Sequence, residues 1–173
     1  VEDAHGIVIR LTKLTDSSLI VHWMTRGVGL IKTVAKGARR PKSVFGGRLD
    51  LFVTADLQWQ KSRQSDLHTL REVSVTHYRE AIRKSYRDAV VAGYFGQLLE
   101  LVLELEHPEP ELFSLLERGL GYLEQTGADL KALLFFEKEV GRMLGLGKEG
   151  IGGILRLYGR LPFLREQCLS LLE

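Results

Sequence analysis

At 173 residues, 45% hydrophobic and 27% charged, the chain has room for one domain or two small ones, and wholesale disorder is excluded. No apolar run approaches the ~20 residues that span a bilayer, and the opening VEDAHGIVIR has neither a basic segment nor a long apolar core, so no span and no signal peptide are expected. The net charge of +2 conceals an asymmetry: residues 1–92 carry 16 Lys and Arg against 9 Asp and Glu, while residues 93–173 carry 8 against 13. A basic front half and an acidic back half point to different partners for each, a nucleic acid for the first.

In chain order, the β-branched run Ile7 to Lys13 predicts a first strand, and LTDSS a turn. LIVHWMT predicts a second strand, RGVG a glycine turn, and LIKTVAK a third. Leu51, Val53, Ala55, Leu57 and Trp59 alternate with Phe52, Thr54, Asp56 and Gln58, the period of a strand with one buried face. Leu67 to Val75 is a fifth. Five short strands in about 75 residues predict a small closed or partly closed barrel, because open edges would be a liability in so small a sheet. Beyond Val75 the period becomes helical. Val90, Tyr94, Leu98, Val102 and Leu105 form one stripe, Leu112, Leu116, Leu120 and Leu123 a second, and Leu133, Phe136, Val140, Met143 and Leu144 a third. Pro108 and Pro110 separate the first two, and Asp129 is placed to cap the third. Shorter helices follow around Ile154 to Tyr158 and Leu164 to Leu172. The expected fold class is α+β: a β-barrel over residues 1–75 and an all-α bundle over 76–173.

Between the third and fourth strands lies VAKGARRPKSVFGGRLDLF. Lys36, Arg39, Arg40, Lys42 and Arg48 fall within thirteen positions, with no acid among them. Cations on a glycine-rich segment can follow phosphates, each neutralised phosphate releasing counterions, and Gly37, Gly46 and Gly47 allow close approach. A solvated loop is the competing reading. Single-strand binding on a barrel also uses stacked aromatics. Trp23, Phe45, Phe52 and Trp59 are available; Trp59 shares a face with Leu51 and Val53 and is assigned to the core, so Phe45, inside the loop, is the stacking candidate. Arg79, Arg83, Lys84 and Arg87 form a second basic set at helical spacing, either extending the phosphate track or forming a solvated helix face.

The stretch from Gly6 to Phe52, above all the run VAKGARRPKS..GG.L..F preceded by a strand, a T..G turn and another strand, resembles the N-terminal domain of the RecO family of bacterial recombination mediators. DLHTLREV is similar to that family's last barrel strand, FEKEVGRMLGLG to its bundle helix, and GRLPFLREQCLSLLE more loosely to its C-terminal helix. The resemblance implies an OB-fold barrel followed by a helical bundle. It also implies binding of single- and double-stranded DNA, strand annealing, and help for the RecA recombinase in displacing single-strand-binding protein. RecR and single-strand-binding protein are the implied partners, and a cytoplasmic, nucleoid-associated location follows. Lys36 and Arg39 match the family's KGAR run most directly; Arg40, Lys42, Arg48, Phe45, Arg79 and Arg83 complete the candidate nucleic-acid-binding set. The chain departs from the family in being shorter, mostly between Gly147 and Leu155, and in lacking the cysteine cluster that binds zinc in some members.

No enzyme is expected. The five histidines have no paired-ligand spacing, and the one cysteine, Cys168, gives no zinc framework and fits a reducing compartment. GLGKEG matches GxGxxG but follows a helix rather than a strand, and Glu149 after Lys148 rules out a Walker A loop. No cofactor or metal is expected. Two alternatives stay open: a protein-interaction module of the same ancestry with reduced mediator activity, and a general RNA- or single-strand-binding OB protein, since backbone contacts distinguish RNA from DNA poorly.

Overall fold

The first strand does duty as two. β1 (Glu2–Lys13) pairs through its first half with β4 (Thr54–Gln60) and through its second with β2 (Leu19–Thr25), both antiparallel. Gly6 and Ile7 are shared by both pairings, Gly6 opposite Thr25 on one side and Ala55 on the other. A Cβ there would lie 3.1 Å from the Met24 carbonyl oxygen, so glycine suits the corner. A register shift between Val8 and Arg10 bends the strand further. This computed structural model describes all 173 residues, in two compact units: Val1–Tyr78 with Glu104–Pro110, and Arg79–Leu103 with Glu111–Glu173.

β3 (Gly29–Ala35) pairs antiparallel with β2, and β5 (Leu67–His77) antiparallel with β4. A short parallel pairing of Lys32–Val34 with Leu67–Thr69 closes the barrel in the order β1-β2-β3-β5-β4. That is the OB-fold arrangement. Alternating residues fill the interior: Val8, Val21, Trp23, Ile31, Val53, Leu57, Trp59, Leu70 and Val73 are all buried. The Trp23 indole N–H donates to Thr33 Oγ1 at 3.0 Å, so this ring is buried without orphaning its donor.

Two strand boundaries differ from expectation. β1 starts at Glu2, because its first five residues gain a partner in β4 that no local pattern reveals. The fourth strand starts at Thr54 rather than Leu51, because Phe52 adopts φ +69, buries its ring and donates its N–H to the Val8 carbonyl at 2.8 Å. The chain turns there before it extends.

The second unit holds α1 (Glu80–Lys84), α2 (Tyr86–Val102), α3 (Pro110–Thr126), α4 (Leu130–Met143), α5 (Gly150–Tyr158) and α6 (Leu164–Leu172). Asp129 caps α4 as expected, its carboxylate accepting the Ala132 N–H at 2.7 Å. Phe95 and Phe136 stack at 4.0 Å between α2 and α4. GLGKEG contributes a 3-10 turn over Gly147–Glu149. Leu105 is not on the first helical stripe: α2 ends at Val102, and Leu105 instead bridges to Leu30 of the barrel. The following Glu106 donates its N–H to the Leu30 carbonyl at 2.8 Å. Only three residues of β3 pair with β5, and this returning strap occupies the edge that they leave.

Candidate nucleic-acid interface

The basic segment is a string of turns. N–H groups of Ala38, Arg40, Ser43, Gly46 and Arg48 each donate to the carbonyl three residues earlier, at 3.0–3.3 Å. Its first part is tied to the β1–β2 loop: Arg39 N–H donates to the Ser17 carbonyl at 2.9 Å and Gly37 N–H to Ser18 Oγ at 3.2 Å. Gly37 has φ +70, which its place in the turn requires. The backbone is therefore fixed while Lys36, Arg39, Arg40 and Lys42 are exposed. Arg39 has a second task, since Nη1 donates to the Asp16 carbonyl at 3.1 Å and holds the neighbouring loop.

Phe45 is not a stacking surface. Only 6% exposed, it inserts into the barrel core with Trp59, Leu70 and Val73 as neighbours in the cluster, because a loop this long must bury an apolar anchor to stay in place. Trp23, Phe52 and Trp59 are buried too, leaving Tyr78 the sole exposed aromatic of residues 1–78. Arg48 is exposed but lies elsewhere: it lines a cleft of about 1000 Å³ over the β1–β4–β5 side, with Asp3, Asp56 and Glu72 in the same lining. Arg71 and His5 complete the charged lining, His5 paired with Asp56 at 2.7 Å, so the cleft mixes both signs of charge.

The second basic set does not form a free track. Arg79 is 5% exposed, with Nε 3.3 Å from the Glu124 carboxylate. Burial lowers its pKa from the ordinary arginine value, against the opposing pull of Glu124 and Glu117. At φ +52 it turns the chain into α1, so its side chain is committed to the fold. Arg83 is half-buried, and Lys84 pairs with Glu80 at 3.8 Å.

The sequence pattern missed a row of polar residues across the outside of the barrel. Arg10 of β1, His22 of β2 and Lys32 of β3 are direct cross-strand neighbours. Arg10 Nη2 donates to His22 Nδ1 at 3.4 Å, which places the imidazole proton on Nε2, 3.1 Å from Thr12 Oγ1. Burial first, then the charges of Arg10 and Lys32, lowers the pKa of His22 to about 4. In sequence these three are isolated polar residues in apolar strands; register alone brings them together.

In the second unit, Phe95, Leu115, Tyr122, Phe135 and Phe136 line an apolar pocket of about 350 Å³, with Arg118 and Lys131 in its wall. Phe135 is half exposed there.

Two family models match the chain: Recombination protein O N terminal over residues 2–79, and Recombination protein O C terminal over residues 83–148. Among curated proteins, "DNA repair protein RecO" of Rhodopirellula baltica is 30% identical over 140 residues, covering 81% of this chain and 52% of the relative. The protein of the same name from a Cyanothece species is 30% identical over 167 residues, 96% of this chain and 52% of the relative. That of an Anaeromyxobacter species is 31% identical over 163 residues, 91% and 64%. The chain thus spans about half to two thirds of the length of these relatives. With the N-terminal and C-terminal models matched in chain order and these relatives at 30% identity or more, the chain belongs to the RecO family.

Proposed function

We propose that this protein acts in DNA repair as a DNA-binding recombination mediator: it holds single- and double-stranded DNA by the backbone, anneals complementary strands and assists recombinase loading onto DNA covered by single-strand-binding protein. The observation that carries the reading is the exposed cationic loop, Lys36 to Lys42, held in fixed turns on an OB barrel. A fixed cationic surface neutralises phosphates without ordering a flexible segment first. Neutralising both strands lowers the repulsion that opposes their pairing, which is how binding becomes annealing. We assign no chemical step to the protein.

The helical unit is proposed to meet protein partners, RecR and single-strand-binding protein, with RecA reached indirectly. Its apolar pocket between Arg118 and Lys131 suits an apolar side chain carried on an acidic segment.

Annealing of fluorescent complementary oligonucleotides tests the reading. The rate should rise with protein concentration and fall as salt rises. A folded protein that neither binds single strands nor accelerates annealing at low salt contradicts it.

A further inference from the structure

We propose that Arg39 serves DNA binding as a positioning residue: its side chain is spent on the β1–β2 loop, and it holds the basic turns in place while Lys36, Arg40 and Lys42 meet the phosphates. This inference rests on the DNA-binding reading and divides the cationic loop into contacts and support.

The β1–β2 loop is built to receive it. The N–H groups of Leu14 and Thr15 donate to the Ser18 carbonyl at 3.0 and 3.3 Å, and Thr15 Oγ1 accepts from the N–H groups of Ser17 and Ser18 at 3.3 and 3.0 Å. A turn closed by its own threonine hydroxyl keeps its shape locally. It leaves three consecutive carbonyls, those of Thr15, Asp16 and Ser17, and Arg39 bonds to all three. Nη1 donates to the Thr15 carbonyl at 3.4 Å and the Asp16 carbonyl at 3.1 Å, and the backbone N–H donates to the Ser17 carbonyl at 2.9 Å. Gly37 N–H adds a fourth bond, to Ser18 Oγ at 3.2 Å. The Asp16 carboxylate lies 3.4 Å from Lys13 Nζ, so carbonyl dipoles and not that carboxylate hold the guanidinium.

The neighbouring cations are differently placed. Lys36, Arg40 and Lys42 are exposed, and their side chains bond to no other residue. A guanidinium nitrogen that already has two acceptors must give them up to follow a phosphate, whereas an unbonded cation gives up only water. The turns that present the free cations depend on the clamped one. Arg40 N–H donates to the Gly37 carbonyl at 3.0 Å and Ser43 N–H to the Arg40 carbonyl at 3.1 Å, so the bonds of Gly37 and Arg39 to the β1–β2 loop fix the first of two linked turns. Holding that backbone before DNA arrives removes its ordering cost from binding. Arginine suits the task because one planar head carries several donors on a long stem, and the turn offers acceptors only.

The test compares the native full chain with Arg39→Gln, Thr15→Val, their double variant and Arg40→Gln, by oligo-dT binding across a salt series and by amide hydrogen exchange of the free protein. Thr15→Val changes no charge and removes the hydroxyl that closes the receiving turn. Arg39→Gln and Thr15→Val should each weaken binding by about three- to tenfold and speed exchange at the Gly37 and Arg39 amides. Thr15→Val should keep the native slope of log K against log salt, and the double variant should bind no more weakly than Arg39→Gln, because both changes loosen one clamp. Arg40→Gln should instead flatten the slope by about 0.7 and leave the exchange native. If Arg39→Gln flattens the slope as Arg40→Gln does while Thr15→Val binds natively, Arg39 is a phosphate contact and the proposal is overturned. Native exchange at Gly37 and Arg39 in Arg39→Gln also overturns it, as does native binding by both single variants. A native chain that binds no oligo-dT at low salt overturns the DNA-binding reading itself, and this role with it.

Discussion

Phe45 and Arg79 show how one residue's burial redirects a functional assignment. From sequence, a phenylalanine amid five cations is a stacking ring, and an arginine at helical spacing is a phosphate contact. Neither pattern reports which way a side chain turns, and both turn inward. Phe45→Ala should therefore act on stability, costing about 3–5 kcal/mol by denaturant unfolding, as emptied core sites do. The helical unit holds a similar hidden commitment. Glu137 is 2% exposed, accepts from Arg165 Nε at 2.6 Å and Nη2 at 3.1 Å, and is also bonded by the Tyr94 hydroxyl. Arg165→Ala leaves that carboxylate buried without its cation and should cost about 3–5 kcal/mol, measured the same way. His22 carries a pH signature. Its folded pKa, about 4, lies below the ordinary 6.5, so between those values the unfolded chain binds a proton that the folded chain does not. Stability should fall as pH drops through this window, and His22→Asn should remove that portion of the slope.

At the scale of elements, the strands and long helices were legible because each repeats one period over many residues. Asp129 was legible as a cap because the bond it makes is local. The strap was not. Leu30 and Leu105 meet across 75 positions of sequence, and the three residues after α2, up to Leu105, read as a continuation of the helix until a strand edge claims them. Its supports are equally remote: Glu106 lies 3.2 Å from His68 Nε2 and 3.3 Å from Lys61 Nζ, and despite the raising effect of burial these partners hold its carboxyl below the usual range. Gly29 is the matching concession in the barrel, at φ +80 with the His107 carbonyl oxygen 2.1 Å from where a Cβ would stand. Gly29→Ala should displace the strap. Amide hydrogen exchange at Glu106, whose N–H donates to Leu30, should then accelerate while amides inside β2 keep their protection.

For the whole molecule, the change from period two to helical period marked the two units, and the charge asymmetry set the first apart as the more basic one. What neither marked is that residues 104–110 fold with the barrel. A chain ending at Tyr78 lacks that strap, and it should melt below the corresponding transition of the full chain. The loop was legible as cationic because charge is written in composition. Its division was not: turns fix Lys36, Arg40 and Lys42 outward, Arg39 is half engaged with a neighbouring loop, and Arg48 faces carboxylates. Lys36 and Arg40 are therefore the pair to change, since exposed charges contribute little to folding. The most direct measurement is the salt dependence of single-stranded DNA binding by Lys36→Glu/Arg40→Glu beside the native chain. Losing two phosphate contacts should weaken binding across all sequences and flatten the slope by at least about 1.4. A folded variant with native affinity and native slope would contradict the account and leave the loop as solvated charge.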